Sequence, residues 1–287
     1  MSLEKTYNLT YLEAYNFAKI ELCDCGIPNA DIDARLILEK VCGTSFGAMY
    51  ANPYRVLNTS EAAEYKELVF KRKKRISLQY IFGEADFMGL SFKCDKRALI
   101  PRQDTECLVE EALRRLHDGM RILDLCTGSG CIALSLLKYS NDTSAAATDI
   151  SSDALSLARE NTERLGLYGR IDFYNCDLFP EDEKSGFDII VANPPYIPPH
   201  VIDTLEAEVK EHEPYAALYG GEDGLVFYRR ITKDAKSYMT RGGFLLVEIA
   251  YDQSDEVKEL FEEAGFKDVE CVKDLGQNDR VVIGTCY

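Results

Sequence analysis

From Thr10 to about Ser77 the apolar residues recur at helical spacing, and no stretch alternates as a half-buried strand would. A first helix is predicted from Thr10, where Thr10-x-x-Glu13 has the capping-box pattern and Leu12, Tyr15, Phe17 and Leu22 follow; Gly26 and Pro28 end it. A second runs from Ala30 to Val41, with Ile32, Leu36 and Ile37 on one side, and stops at Gly43. Ser60 opens a longer one that carries Tyr65, Leu68 and Val69 into the basic run Lys71-Arg72-Lys73-Lys74-Arg75. Residues 1–77 therefore predict a small helical bundle, near the lower size limit for a self-sufficient core.

The pattern changes over 78–100. Tyr80-Ile81-Phe82-Gly83 and then Ala85 to Phe92 alternate around turn glycines, which predicts a β-hairpin connector. It delivers the chain to Ile100-Pro101-Arg102-Gln103-Asp104-Thr105-Glu106, where Asp104 or Thr105 is a candidate cap for a helix through Leu108, Val109 and Leu113. From 101 to 287 short apolar runs alternate with helical stretches, the pattern of an α/β fold with a largely parallel sheet. Strands are predicted at Met120–Leu125, Ala145–Asp149, Ile171–Cys176, Phe187–Ala192, Phe244–Ile249, Val269–Val272 and Arg280–Gly284, and one helix from Leu225 to Met239. No crossover helix fits between the last two strands, so the final strand is expected to be antiparallel to its neighbour.

Composition narrows the function. A net charge of −16 and a pI near 4.7 argue against broad adhesion to nucleic acid or anionic lipid. The basic run at 71–75 is read as a solvated helix end. Ten cysteines without a Cys-x-x-Cys pair, and three histidines, give no metal-ligand spacing, so no metal is expected and the thiols read as reduced. The start, Met1-Ser-Leu-Glu-Lys-Thr-Tyr, lacks the apolar core of a signal peptide, and no run has membrane-spanning length. A cytoplasmic protein with no direct nucleic-acid or membrane contact is expected.

The candidate chemistry centres on Asn193-Pro194-Pro195-Tyr196, which ends the buried run Phe187–Ala192. Prolines cannot extend the ladder, so Asn193 sits at the carboxyl end of a strand, where open α/β sheets bind ligands. An amide or exocyclic amino nitrogen is a poor nucleophile because its lone pair is delocalised. The Asn193 side-chain oxygen and the Pro194 carbonyl can grip its two N–H groups, and the Tyr196 ring can stack on the planar group. The loop Cys126-Thr127-Gly128-Ser129-Gly130 joins a buried strand to a helix start, yet Gly128-x-Gly130-x-x-Ala133 also fits a dinucleotide fingerprint. Asp149 ends the next strand and reads as a ribose ligand, with capping of a helix near Ser151 as the alternative. The Asp177-Leu178 turn offers an acceptor or an apolar wall to an adenine, and Arg102 is either a wall of the site or a structural ion pair.

Taken together these motifs resemble the bacterial peptide-chain release factor glutamine N5-methyltransferases. The likeness spans nearly the whole chain: the helical first part, Gln79-Tyr80-Ile81-x-Gly83, Ile100-Pro101-Arg102-x-Asp104-Thr105-Glu106, and Leu123-Asp124-Leu125-x-Thr127-Gly128-Ser129-Gly130. It continues through Asn193-Pro194-Pro195-Tyr196, Glu213-Pro214, Asp223-Gly224-Leu225, Lys273-Asp274-Leu275 and Asp279-Arg280-Val281. The resemblance implies a seven-stranded, Rossmann-like domain over 101–287 that uses S-adenosyl-L-methionine. It implies cofactor binding by Cys126, Thr127, Gly128, Ser129, Gly130, Asp149, Asp177, Leu178 and Asn193. Asn193, Pro194, Pro195, Tyr196 and Arg102 then hold a substrate glutamine, with Asn193, Pro194 and Tyr196 as the catalytic set. In the family that glutamine lies in the Gly-Gly-Gln motif of class I release factors, and residues 1–77 are expected to dock this protein substrate or to cover the catalytic domain. Four positions depart from the family pattern: Cys126 for glycine, Gln103 for proline, Leu178 for an aromatic residue and Ala250 for glycine. The alternatives are a glutamine methyltransferase of a ribosomal protein, an amino-methyltransferase of nucleic-acid bases, and a non-catalytic nucleotide-binding domain.

Overall fold

The computed structural model describes residues 9–181 and 186–287. The chain divides into two compact units, Met1–Gly83 and Glu84–Tyr287.

In the first unit, α1 (Tyr11–Asp24) starts at Thr10 with both halves of the capping box made: Glu13 N donates to Thr10 Oγ1 at 3.3 Å and Thr10 N to Glu13 Oε2 at 2.9 Å. Its buried stripe is Tyr11, Ala14, Ala18 and Leu22, while Leu12 is exposed and Phe17 half-buried. The small alanines, which carry little weight in a hydrophobic pattern, form the buried face. In α2 (Ala30–Cys42) the inward residues are Ala34, Ile37 and Leu38, and the predicted Ile32 is exposed. Gly43 ends it in the left-handed conformation, φ +56°. A further helix, α3 (Phe46–Ala51), is too short for its period to show in sequence. The longest, α4 (Thr59–Lys73), is capped by Asn58, with Glu61 completing the box. Within the basic run, Arg72 turns inward, its Nε 2.6 Å from the buried Asp33. Residues Leu78–Phe82 form α5, not a strand; Ser77 caps it and Gly83 closes it at φ +73°. Leu78, Ile81 and Phe82 pack against the helical core, which is why this unit extends past residue 77 to Gly83.

The second unit opens with the predicted hairpin, β1 (Glu84–Phe87) and β2 (Leu90–Lys93), around Met88 and Gly89, both at positive φ. A 3₁₀ turn over Gln103–Thr105 leads into α6 (Glu106–Arg115), and no side chain at Asp104 or Thr105 caps it. The sheet and its helices follow as β3 (Arg121–Leu125), α7 (Cys131–Lys138), β4 (Ser144–Asp149), α8 (Ser152–Leu165), β5 (Ile171–Asn175) and β6 (Phe187–Ala192). After two single turns, α9 (Pro199–Ile202) and α10 (Ala207–Lys210), come α11 (Val226–Ala235), β7 (Met239–Glu248), α12 (Ser254–Glu263), β8 (Lys267–Lys273) and β9 (Asp279–Thr285). The helix predicted to reach Met239 stops at Ala235, and Met239 already belongs to β7.

The seven-stranded sheet has the order β5-β4-β3-β6-β7-β9-β8. All neighbours are parallel except β9, which is antiparallel to both β7 and β8. Successive strand residues point to opposite faces, so Leu123, Ile190, Leu245 and Val282 enter one apolar cluster and Ile122, Ile189, Leu246 and Val281 the other. The first cluster is roofed by α11 and α12, the second by α6 and α7. Covering both faces explains the near-continuous apolar strands, and full burial of each such side chain stabilises the fold by about 1.5–3 kcal/mol.

Candidate active site

Register brings the sequence candidates together. Leu125, the last residue of β3, pairs with Thr148 of β4 on one side and with Ala192 of β6 on the other. Cys126, Asp149 and Asn193 are therefore the next residues of three adjacent strands. The strand order also reverses at β3, with β4 and β5 to one side and β6 and β7 to the other. A crevice opens where neighbouring connections leave in opposite directions.

The loop after β3 is built around buried Asp124. Its Oδ2 accepts from Thr127 Oγ1 at 2.6 Å and from the Ala133 amide in the first turn of α7 at 3.2 Å, while Oδ1 has no partner among the described residues. Burial pushes this carboxyl up to about 7, against the pull of those two donors. Cys126, Gly128 and Gly130 take φ of +57°, +57° and +81°. At Cys126 this conformation costs about 1–2 kcal/mol that glycine would not incur. Asp149 braces the same loop: its Oδ2 accepts from Gly128 N and its Oδ1 from Ser151 N, each at 2.9 Å. Burial raises its pKa and the two amides oppose the rise. The cap of α8 is Ser151, not Asp149.

Above these loops lies a cavity of about 390 Å³. Its wall includes Cys126, Thr127, Gly128, Ser129, Asp149, Asp177, Leu178, Asn193, Pro195 and Arg102, ten of the residues singled out from the sequence. Gly130, Pro194 and Tyr196 are not on it. Gly130 lies beneath, where a Cβ would come within 3.0 Å of Leu134 and 3.2 Å of Ala158. Asp177 pairs with Arg230 at 2.8 Å, and Leu178 holds φ +67°. Arg102 fulfils both of its readings: it lines the cavity and lies 2.5 Å from the buried carboxylate of Glu213.

At the other end, Asn193 Nδ2 donates to Thr105 Oγ1 at 3.2 Å. Neither Asn193 Oδ1 nor the Pro194 carbonyl accepts a hydrogen bond among the described residues. The Tyr196 ring packs against the core, and its hydroxyl donates to Glu248 Oε1 at 3.3 Å. Burial drives the Tyr196 pKa upward, and nearby Glu248 adds to it. Glu248 ends β7, one residue beyond the Ala192–Val247 pair, so it stands beside Asn193. Its carboxyl is pushed up to about 7 by burial, while the nearby Thr105 hydroxyl, attraction to Arg280 and the hydrogen bond from Tyr196 oppose the rise; its Oε2 has no hydrogen-bond partner among the described residues. Arg280 in turn bonds Asp274 and lies 3.2 Å from Asp104.

Sequence reasoning overlooked Thr105 as a partner of Asn193, and Glu248, Ile150 and Phe227 altogether. Ile150 lines the cavity although it is 68% exposed, and an exposed isoleucine directly after a candidate ribose ligand was the available signal.

The residues present test two ligand classes. A pyrophosphate on the first turn of α7 would meet the Asp124 carboxylate already bonded there, with Asp149 close by. A nucleoside bearing positive charge fits better: an acid able to reach a ribose, apolar walls at Ile150, Leu178 and Phe227, and no vacant anion seat at the Ala133 amide.

Comparison with known proteins follows the same division of the chain. Residues 13–83 match the model of the PrmC N-terminal domain, and residues 103–210 match the methyltransferase small domain. The release factor glutamine methyltransferase of Caulobacter vibrioides is 40% identical over 278 residues, covering 96% of each chain. That of Geobacter sulfurreducens is 40% identical over 281 residues, covering 98% of each. Among solved structures, a methyltransferase from Pyrococcus furiosus superposes with a TM-score of 0.55 at 20% identity, covering 75% of this chain and 98% of that one, a likeness of fold.

Proposed function

This chain belongs to the release factor glutamine methyltransferase family, and from that premise we propose that its cavity methylates the side-chain nitrogen of the glutamine in the Gly-Gly-Gln motif of class I release factors. The cofactor is S-adenosyl-L-methionine, whose sulfonium supplies an electrophilic methyl group when bound. Cys126 to Gly130 would hold it, with Asp149 keeping lone pairs for its ribose hydroxyls and Asp177 and Leu178 bordering its base. Arg102 and Pro195 border the substrate end.

One observation carries the reading: the Asn193 side-chain oxygen and the Pro194 carbonyl, adjacent at the end of β6, are both without a partner among the described residues. Two such acceptors hold the two N–H groups of a primary amide and turn its nitrogen face toward the methyl group. An amide nitrogen held in this way would take the methyl group that the bound cofactor supplies, and its surplus proton would leave to water. Tyr196 serves from behind the cavity, where its bond to Glu248 fixes the Asn-Pro-Pro-Tyr turn. We further infer a cytoplasmic site of action, with no direct nucleic-acid or membrane partner. The net charge of −16 supports this, and no described helix is long and apolar enough to cross a membrane.

The test is mass spectrometry of a purified release factor after incubation with the protein and S-adenosylmethionine. One added methyl on the motif glutamine is expected. Labelling of ribosomal protein or ribosomal RNA in its place would overturn the substrate assignment.

A further inference from the structure

The turn that carries Asn193 and Pro194 is firmly held where it begins: Ala192, just upstream, pairs with Leu125 of β3 and Val247 of β7. Downstream, Pro194 and Pro195 have no amide hydrogen with which to anchor the chain. The aim of the Pro194 carbonyl therefore depends on what fixes the backbone at Tyr196. The Tyr196 hydroxyl is tied to Glu248, and its carbonyl has a separate partner.

That partner is Gln253, 8% exposed and placed just before α12. Its Nε2 donates to the Tyr196 carbonyl at 3.2 Å and to the Gly224 carbonyl at 3.4 Å, while its Oε1 accepts from the Ala250 amide at 3.1 Å. The Tyr228 hydroxyl, whose shorter bond is to the Glu248 carbonyl at 2.8 Å, lies 3.4 Å from the same oxygen. The backbone settles which end of the Gln253 amide is which. Carbonyls only accept and an amide N–H only donates, so the reversed side chain would set like against like at all three backbone contacts. The Gly220–Gly224 loop closes on this arrangement without room for a side chain. A Cβ on Gly220 would fall 2.5 Å from Tyr196 Cα, and one on Gly224 would fall 2.5 Å from the Tyr196 carbonyl oxygen and 2.6 Å from Gln253 Nε2. Gln253 itself is not on the cavity wall, whereas Tyr219 and Phe227, on either side of that loop, are. We propose that Gln253 is a positioning residue for methyl transfer: by clamping the Tyr196 carbonyl against the Gly220–Gly224 loop, it sets the direction in which Asn193 and the Pro194 carbonyl meet the substrate amide. The inference rests on the reading of those two groups as acceptors for that amide.

The experiment measures kcat and KM for release factor methylation at saturating S-adenosylmethionine, together with cofactor affinity and melting temperature, with each variant assayed well below its melting point. Gln253→Met keeps the length of the side chain and removes both donors. Gln253→Glu keeps the shape and sets an acceptor against two carbonyls. Each is expected to lower kcat by roughly tenfold or more, with KM and cofactor affinity within about threefold of wild type. In an Asn193→Ala background half of the grip is already gone, and adding Gln253→Met is expected to cost at most about threefold more. Equal loss from Gln253→Met in both backgrounds, or a fall in cofactor affinity parallel to the fall in kcat, would mark Gln253 as structural and overturn the proposal. So would wild-type kcat in both Gln253 variants when Asn193→Ala is impaired, which leaves the reading of Asn193 intact. Wild-type turnover in Asn193→Ala itself would overturn that reading and the clamp with it.

Discussion

The guanidinium of Arg102 lies 2.5 Å from the carboxylate of Glu213, whose side chain is 1% exposed, and the Glu213 carboxylate also accepts from the Ile100 amide at 3.4 Å. This ties the segment before α6 to the segment after α10 across one rim of the cavity. Removing Arg102 strands a buried charge, although water reaches the arginine side. Arg102→Ala is therefore expected to cost about 1–3 kcal/mol of stability and to weaken cofactor binding, whereas adding Glu213→Ala returns part of the lost stability. Denaturant midpoints of the two single variants and the double variant check this; strictly additive losses would contradict it.

Cys126 occupies a left-handed position where its side chain also lines the cavity. Cys126→Gly relieves the strain but loosens the unfolded chain, so stability is expected to stay within about 1 kcal/mol of wild type. Cys126→Val adds β-branching to the same φ and is expected to be destabilised by about 2 kcal/mol or more. Calorimetric titration with S-adenosylmethionine is expected to show undiminished binding for the glycine variant and at least a several-fold loss for the valine variant.

The buried carboxyls of Asp124 and Glu248 titrate near 7 in the folded chain, above their ordinary values of 3.8 and 4.5. The folded state thus holds protons that the unfolded state has released. Their favourable contribution is complete below about pH 4 and is lost as pH rises through about 7. Glu160, held down to about 2 by Arg97 and Lys93, acts in the opposite sense at low pH, so the comparison must be made by difference. Glu248→Gln is expected to lose less stability than wild type between about pH 5 and pH 8.5, by an amount on the order of 3 kcal/mol at most. Parallel denaturation curves for the two proteins across that range would contradict it.

The helical unit is proposed to contribute substrate selectivity. Because α5 packs into that unit, a chain shortened to begin at Leu78 keeps an orphaned apolar helix, and the cleaner boundary is Glu84. A chain beginning at Glu84 is expected to retain cofactor binding and to methylate a short Gly-Gly-Gln peptide. Intact release factor is expected to show a KM raised by tenfold or more, because contacts remote from the reacting atom supply that binding energy. Equal losses on peptide and intact factor would assign the unit a structural role.

The sequence made some features readable because they are local. Asn193 stands out since an apolar run meets two prolines, and the antiparallel last strand follows from a connection too short for a helix. Glu248 and Thr105 gave no such sign: one ends an ordinary strand, the other resembles a helix cap, and each acquires meaning only through strand register and a fold-back across the sheet. In α1 the conspicuous Leu12 and Phe17 drew attention away from Ala14 and Ala18, whose value lies in permitting close approach rather than in apolar area. Six residues of α3 and five of α5 are too few to express a period.

The place of β9 between β7 and β8 sets a schedule for biosynthesis. Both neighbours precede it in the chain, so the edge of β7 that pairs through Phe244 to Glu248 stays open until residues 279–285 have left the ribosome. During that interval Leu245, Leu246 and Val247 form an apolar strand with unpaired amides, open to any extended chain nearby. Arg280 arrives with the same strand and brings the partner of Asp104 and Asp274. The ion network of Arg280, Asp104 and Asp274 is therefore completed only in the closing moments of synthesis, and a nascent chain arrested before residue 279 carries every cavity-lining residue without that network.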